Sequence, residues 1–456
     1  MKKIFKNVDE FDKKAIENFG ISSEILMENA AFCVEKVIRK NLKKNSKILF
    51  LIGGGNNAAD AICVARKLQG DFKCEVLELL TKQNDMLIFQ KKIAQKVGVE
   101  FTQNLPQNFD YKCFVDGIFG SGFKGVLDSK ISSILQIVND KKGLKIAVDF
   151  PTSDSKISFK ADFTITMGAL KNRLFEDFLK DFVGKIKVAN LGICENSYTH
   201  NLNENFLLEK SDLKLPFRKK QNTNKGDFGH TFVLVGDMET AAILAGISAM
   251  AIGSGLVSLV SKKDMILPPF LMKKESFLQA KVIVAGSGFG NFKINFDEIC
   301  DKKCVIDADL LKDKNLEILL TKCENLILTP HPKEFKTLLQ NLNFGDFSVD
   351  EIQTNRFEFA NLFSKKYKNA ILVLKGANTI ISKNGVNFVC DLGSNALAKA
   401  GSGDILAGLI GGFLAQNYSP LDCATNAVLT HALASKKIKN SYSLDALDLI
   451  KEIKCL

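Results

Sequence analysis

Short apolar runs that end in glycine, asparagine or aspartate, each leading into a helical stretch, recur along this chain. That alternation restricts the fold more than any other feature. Residues 48–52 form a buried strand by their apolar run, feed Gly53-Gly54-Gly55-Asn56-Asn57-Ala58-Ala59-Asp60, and a helix over about 61–68 follows. A strand over 74–80 and a helix over 86–97 repeat the unit. Residues 112–116 end in Asp116 and lead to Gly117-Ile118-Phe119-Gly120-Ser121-Gly122-Phe123-Lys124-Gly125. After a helix near 131–138, residues 145–148 run into Asp149-Phe150-Pro151-Thr152-Ser153. In an open parallel sheet the strand C-termini line one crevice, and ligands bind there. A glycine turn between strand and helix also offers bare N–H groups to a phosphate. The spacing is not G-x-G-x-x-G, so an ordinary dinucleotide dehydrogenase is not indicated. Oxygens from Asn57, Asp116 and Thr152, at three strand ends, can converge on a monovalent or hard cation. The plainer alternative makes each of them a separate cap. Ahead of this region, 9–19 and 22–42 read as helices, with Ser22 and Ser23 as a cap.

The second half repeats the theme. Asn224-Lys225-Gly226-Asp227-Phe228-Gly229-His230 leads into a strand at 231–235. A helix over 240–252 follows, rich in small residues: Ala241, Ala242, Ala245 and Gly246 allow another backbone or a flat ligand close, with packing the stronger reading. A strand over 280–285 ends in Gly286-Ser287-Gly288-Phe289-Gly290, and one at 305–309 ends in Asp307 and Asp309. After 325–328, His331 stands between two prolines, which stiffen the loop and pre-aim the imidazole; alternatively it caps a helix begun at Pro332. The strand at 372–374 runs into Lys375-Gly376-Ala377-Asn378-Thr379. In Ala400-Gly401-Ser402-Gly403-Asp404, two residues without Cβ precede a carboxylate and a long apolar-periodic segment. A helix beginning near Gly403 presents unpaired N–H groups and a positive dipole end, an anion site with Asp404 at its rim. There Asp404 can take a proton from a hydroxyl approaching a phosphate. The alternative is a glycine-rich turn with an ordinary helix-start carboxylate. Helices over 404–416, 421–438 and 444–453 close the chain.

At 456 residues the chain is long for one domain. Residues 196–224 are polar and weakly periodic, and the boundary is placed there, giving 1–211 and 212–456; the strands at 164–166 and 185–189 end the first domain. The net charge of +11 comes from dispersed lysines, with no arginine- and aromatic-rich tract, so a lysine-rich surface fits better than nucleic-acid binding. Eleven scattered cysteines without close pairs suit reduced thiols, and four distant histidines argue against a histidine metal site. No apolar run reaches transmembrane length and no secretory signal is visible, so the cytoplasm is the expected location.

Taken together, the motifs at 224–230, 328–335, 372–379 and 397–408 resemble the ribokinase-like dehydratase of the NAD(P)H-hydrate repair family. The first half, with Gly20-Ile21-Ser22-Ser23-Glu24-Ile25-Leu26-Met27-Glu28-Asn29 and the glycine loops, is similar to that family's epimerase. The resemblance implies an α/β protein with a Rossmann-like three-layer domain, then a ribokinase-like one. It implies a substrate, NADH or NADPH hydrated at the nicotinamide ring, whose epimers the first domain interconverts and whose S form the second dehydrates with ADP and Mg²⁺. In the first domain it implies substrate contacts from Asn56, Asn57, Ala58, Ala59, Asp60, from the loop Gly120, Ser121, Gly122, Phe123, Lys124, Gly125 and Val126, and from Asp149, which is also catalytic. Asn57, Asp116 and Thr152 would hold K⁺. In the second it implies Asp404 as the base, substrate contacts from Ala242, Gly288, His331 and Asp404, and nucleotide contacts from Lys375, Gly376, Ala377, Asn378, Thr379 and Gly403. The chain departs from the pattern at Ala58 and Ala59, where the family has glycines, and at Ser153, where it has another. Alanine is costly there if those positions need positive φ and harmless if they are helical. The partners implied are small molecules, with no nucleic acid or membrane and a homo-oligomer left open. Two rivals remain: a vitamin or sugar kinase on the same fold, and an RNA-associated scaffold without catalysis.

Overall fold

The apolar runs form two mainly parallel sheets. The computed structural model describes residues 1–106, 109–123, 125–154, 156–199 and 204–456. They fall into one unit of Lys3–Asn203 and a second of Met1–Lys2 with Glu204–Leu456. The division thus precedes the boundary read from the sequence. The reason is local: Asn205–Leu207 is a strand pairing with Val386–Cys390, so the polar stretch begins inside the second sheet.

In the first unit the strand order is Glu100–Thr102, Lys73–Glu78, Lys47–Ile52, Cys113–Gly117, Leu144–Val148, Phe163–Met167, Lys185–Ala189, parallel throughout. Lys47–Ile52 and Cys113–Gly117 are neighbours although two strands separate them in the chain. Between them the order reverses, which is where such sheets open a crevice. Side-chain alternation puts Ile48, Phe50 and Ile52 into one core and Leu49 and Leu51 into another. Helices Asp9–Phe19, Ser23–Asn41, Asn56–Leu68 and Asp85–Lys96 cover the first face, and Ser129–Asp140 covers the second. The result is the three-layer Rossmann-like arrangement. Ser22 occupies the N-cap without a side-chain capping bond.

The second unit orders its strands Met272–Lys274, Leu256–Val260, His230–Leu234, Val282–Ala285, Lys303–Ile306, Leu326–Leu328, Ala370–Leu374, Thr379–Lys383, Val386–Cys390, Asn205–Leu207. The first seven are parallel, and Thr379–Lys383 pairs antiparallel with both neighbours. That hairpin turns at Asn384 and Gly385, with φ 49° and 79°. Asn-Gly is the pair such mirror-image turns favour, and the sequence reading passed over it.

The small-residue helix, Glu239–Ala251, serves packing. It lies against Ser402–Ala415, where a Cβ on Gly408 would stand 2.1 Å from the Ala245 carbonyl oxygen and 2.0 Å from Ser248 Oγ. Ala242 is fully buried in the same core. Its methyl packs inside that core, the packing reading of this helix. All eleven cysteines are free thiols. Among the described residues, no helix is long and apolar enough to cross a membrane.

Candidate active sites at the strand ends of each unit

In the first unit the helix starts earlier than its sequence suggests. Gly55 is the N-cap, so Asn56, Asn57, Ala58, Ala59 and Asp60 occupy the opening turns rather than a loop before residue 61. The Ala58 and Ala59 N–H groups donate to the Gly55 carbonyl at 3.1 and 3.2 Å, and neither residue has positive φ. Alanine is helix-favouring by about 1 kcal/mol over glycine, so both substitutions suit the backbone they occupy.

Asp116, the penultimate residue of its strand, is wholly buried. Its Oδ2 accepts from the Thr152 N–H at 2.7 Å, and its Oδ1 from Thr152 Oγ1 at 2.8 Å and the Ile118 N–H at 3.1 Å. All three donors are neutral. Burial pushes this carboxyl up to about 6, against the pull of those bonds. Thr152 Oγ1 in turn accepts from the Phe119 N–H at 3.1 Å. The Asn57 amide is buried nearby, and neither its oxygen nor its nitrogen has a hydrogen-bond partner among the described residues. An unsatisfied buried polar group costs about 1–3 kcal/mol. A Cβ built on Gly120 would sit 3.6 Å from Asn57 Cβ and 3.2 Å from Asp149 Oδ2, so glycine loop, helix start and third strand end meet.

Asp149 has φ 63°, a left-handed conformation that aspartate tolerates better than most side chains. Its Oδ2 accepts from the Ser121 N–H at 3.2 Å, and its Oδ1 from the Met167 N–H at 3.1 Å and, in an ion pair, from Lys171 Nζ. Burial opposes the charge, but Lys171 and the amides outweigh it and hold this carboxyl below its usual range. Asp60 moves the other way: burial, then the charges of Asp149 and Asp12, push it well above. Tyr198 Oη donates to Asp12 Oδ1 at 2.7 Å. Phe123 stacks on Phe119, centroids 4.1 Å apart, while Gly122, Gly125 and Val126 are exposed. Lys124 lies outside the described residues. The sequence reading missed Lys171, Asp12 and Tyr198; a lysine beside Ala169-Leu170 in a buried strand was the one signal available.

In the second unit Gly401 is the N-cap of Ser402–Ala415, with φ 87°, so the helix starts one residue before Gly403. Asp404 is its third residue. A Cβ on Gly403 would stand 3.5 Å from Lys375 Nζ and 3.6 Å from Asp307 Oδ2, so two strand ends meet this helix start. Lys375 Nζ bonds Asp307 Oδ1 at 2.8 Å and lies 3.9 Å from Glu334 Oε2. Burial works against its charge, and those carboxylates more than restore it, holding the ammonium above its ordinary range. The positive charge assigned to nucleotide phosphate is thus shared first with Asp307. Burial and the Asp307 charge push the Asp404 carboxyl up, against the Ser287 hydroxyl and Lys375. Ser287 Oγ, buried and without a hydrogen-bond partner among the described residues, favours the Asp404 anion.

Below this rim, Ser402 Oγ lies 3.2 Å from Nε2 of buried His431. Burial pushes that imidazole down to about 4, so it is neutral. His331 is the N-cap of Pro332–Asn341: its Nδ1 accepts from the Lys333 and Glu334 N–H groups at 3.1 and 3.2 Å. The capping alternative is therefore realised, while 47% of the side chain stays exposed. Gly376 and Ala377 form an exposed turn, Asn378 is buried and Thr379 opens the next strand. Arg356, fully buried and missed in the sequence, donates through Nη2 to the Leu374 and Lys375 carbonyls, both at 3.1 Å. Gly288 takes φ 65°, where a Cβ would meet the Met238 carbonyl oxygen at 2.8 Å.

A family described as NAD(P)H-hydrate dehydratase matches residues 231–455, and one described as YjeF-related protein N-terminus matches 23–173. The bifunctional NAD(P)H-hydrate repair enzyme of Helicobacter pylori is 42% identical over 100% of both chains. This chain belongs to the family of bifunctional NAD(P)H-hydrate repair enzymes. The Escherichia coli member is 28% identical over 93% of this chain and 87% of its own. The ADP/ATP-dependent NAD(P)H-hydrate dehydratase from Bacillus subtilis, co-crystallised with ATP/Mg²⁺, is 27% identical with a TM-score of 0.45, covering 52% of this chain and 91% of that one. The chain carries a strand-end site in each unit, and each unit contains the match to one of the two family models.

Proposed function

We propose that this chain restores hydrated NADH and NADPH, the first unit epimerising the R and S hydrates and the second dehydrating the S form with ADP. The observation that carries the dehydratase reading is the Asp404 carboxyl, raised in pKa, on the first turn of a helix whose start meets Lys375 and Asp307. Hydroxide leaves the ring slowly, whereas phosphate leaves readily. In this reading the ring hydroxyl attacks the β-phosphorus of ADP while Asp404 takes its proton, and AMP departs. A carboxyl raised toward working pH is a better base than an ordinary one. The ring-nitrogen lone pair then expels phosphate, and loss of the neighbouring ring proton regenerates the dihydronicotinamide. The Ser402 N–H is taken by the Lys399 carbonyl at 3.3 Å, and the Gly403 and Asp404 N–H groups, without an intrahelical acceptor, would face the transferring phosphoryl group. Lys375 to Thr379 and Gly403 line the nucleotide, with His331 and Gly288 toward the hydrate. Mg²⁺ suits the same place: a divalent ion held mainly by phosphates needs only one carboxylate, which Asp307 would supply, leaving Asp404 free to take the proton. It would neutralise charge on the nucleotide.

In the first unit, the Asn57 oxygen, unpaired among the described residues, and the buried Asp116 carboxylate, without a cationic partner among them, fit K⁺, with Thr152 beside them. The ion would fix the helix start and the glycine loop in one geometry. Asp149, kept ionised by Lys171, is the base for epimerisation, and Asn56 to Asp60 with Gly120 to Val126 enclose the substrate. The substrates are small and polar, which suits an enzyme of the cytoplasm. Incubation with the S hydrate and ADP tests the reading: regained absorbance of reduced nicotinamide supports it, and a stable phosphorylated product points to a kinase instead.

A further inference from the structure

Arg173 belongs to the short helix Asn172–Phe175, two residues after the Lys171 that pairs with Asp149. Its Nη1 donates to the Ser121 carbonyl at 3.0 Å and the Phe123 carbonyl at 2.7 Å. Its guanidinium also lies over the Phe150 ring, 4.5 Å from the centroid. One half-buried side chain thus clamps the glycine loop and rests on the residue that follows Asp149. The other attachments of residues 119–123 are longer or indirect. The Ser121 N–H reaches Asp149 at 3.2 Å, the Phe123 N–H reaches Gly120 at 3.3 Å, and Phe119 is held through Thr152. Bonds with an ionised partner are about twice as strong as neutral ones; the Ser121 N–H bond to Asp149 shares that advantage but is one bond at 3.2 Å against two at 3.0 and 2.7 Å. Arg173 therefore supplies the firmest polar hold on the stretch that aims the Ser121 N–H at the base.

We infer that Arg173 is a positioning residue for epimerisation: it locks the loop carrying Ser121 and Phe123 in its substrate-receiving shape, acting through that loop rather than on the reacting atoms. This rests on the epimerase reading above. An unlatched loop would close over the hydrate less often, so substrate capture suffers more than turnover once the hydrate is bound. Because one nitrogen makes both loop bonds, a lysine of similar reach can restore most of the effect, and a methionine of similar bulk cannot.

The test uses the full chain with Arg173→Met and Arg173→Lys, separated hydrate epimers, and dehydration by the same polypeptide as the internal control. The expected result for Arg173→Met is a KM for epimerisation raised about tenfold or more with kcat within about threefold, a magnitude typical of loop misplacement. Dehydration of the S hydrate stays unchanged, and Arg173→Lys recovers most of the loss. Amide hydrogen exchange at residues 119–123 rises in Arg173→Met, and it reports on the latch whether or not the chain epimerises. Wild-type-like KM and exchange in Arg173→Met would overturn the inference. So would equal loss in both variants, or loss of kcat alone. Absence of epimerisation in the unmutated chain, with exchange still raised in Arg173→Met, would defeat the epimerase reading and leave a purely structural latch.

Discussion

The two units set an aspartate at a strand or helix end beside a glycine-rich turn and a lysine, yet the two carboxyls move in opposite directions. Asp149 is the more deeply enclosed and lies below its usual range; Asp404 is less enclosed and lies above. Burial is the largest influence on each, and it acts upward on both. What differs is where the lysine's charge goes. Lys171 pairs directly with Asp149, whereas Lys375 pairs with Asp307 and reaches Asp404 only through space. Asp307 then adds its own negative charge. A lysine near an acid therefore says little about that acid's charge until the lysine's first partner is known.

The sharpest break in the comparison comes from removing each carboxylate in turn. Asp404→Asn should lower dehydration by about 10²–10⁴-fold, the usual range for a general base, and leave epimerisation intact. Asp149→Asn should do the reverse; assays on separated epimers with and without ADP read both. Normal dehydration by Asp404→Asn would dismiss it as the base.

Removing the lysines separates direct from indirect pairing. Lys171→Met leaves a buried carboxylate alone, which typically costs about 3–5 kcal/mol, read as a lower denaturation midpoint. The sign for activity follows from burial: without its cation Asp149 binds a proton more readily, so the acid limb of epimerisation moves to higher pH. Lys375→Met also removes a lowering influence from Asp404, and the acid limb of dehydration should move the same way by less. Equal shifts would show that both lysines act at long range. Smaller again is Gly408→Ala, whose Cβ would meet the Ala245 carbonyl oxygen at 2.1 Å. Overpacking of this kind costs about 1–3 kcal/mol, visible as a fall in Tm. The least effect belongs to Ala58→Gly and Ala59→Gly. Each should lose up to about 1 kcal/mol of helix stability and gain no epimerase rate; a gain would mean the first turn needs glycine's freedom after all.

The alternation of apolar runs with glycine turns made both sheets legible, because buried parallel strands need little beyond a run of apolar residues. The residues at strand ends were legible for the same reason: once Ile48 to Ile52 is a strand, Asn56 and Asn57 must lie at its mouth. The helix start at Asn56 was hidden, since glycines and asparagines look like loop, and only the buried faces of Ala58 and Ala59 draw them into the helix. Lys171, Arg173 and Arg356 were illegible because their partners lie far off in sequence, at Asp149, Ser121 and Leu374. Ala242 was ambiguous in the sequence because small residues suit close helix packing as well as close ligand approach, and the structure shows the packing.

The contact between Gly408 and the Ala245 carbonyl has a consequence for motion. The helix bearing the proposed base is wedged against its neighbour with no slack for even one methyl, so it cannot slide or roll to greet an arriving nucleotide. Any accommodation falls to the thin segments around it, the turn at Gly376 and Ala377 and the loop from Gly286 to Gly290. The acid stays still, and its reactants must travel to it.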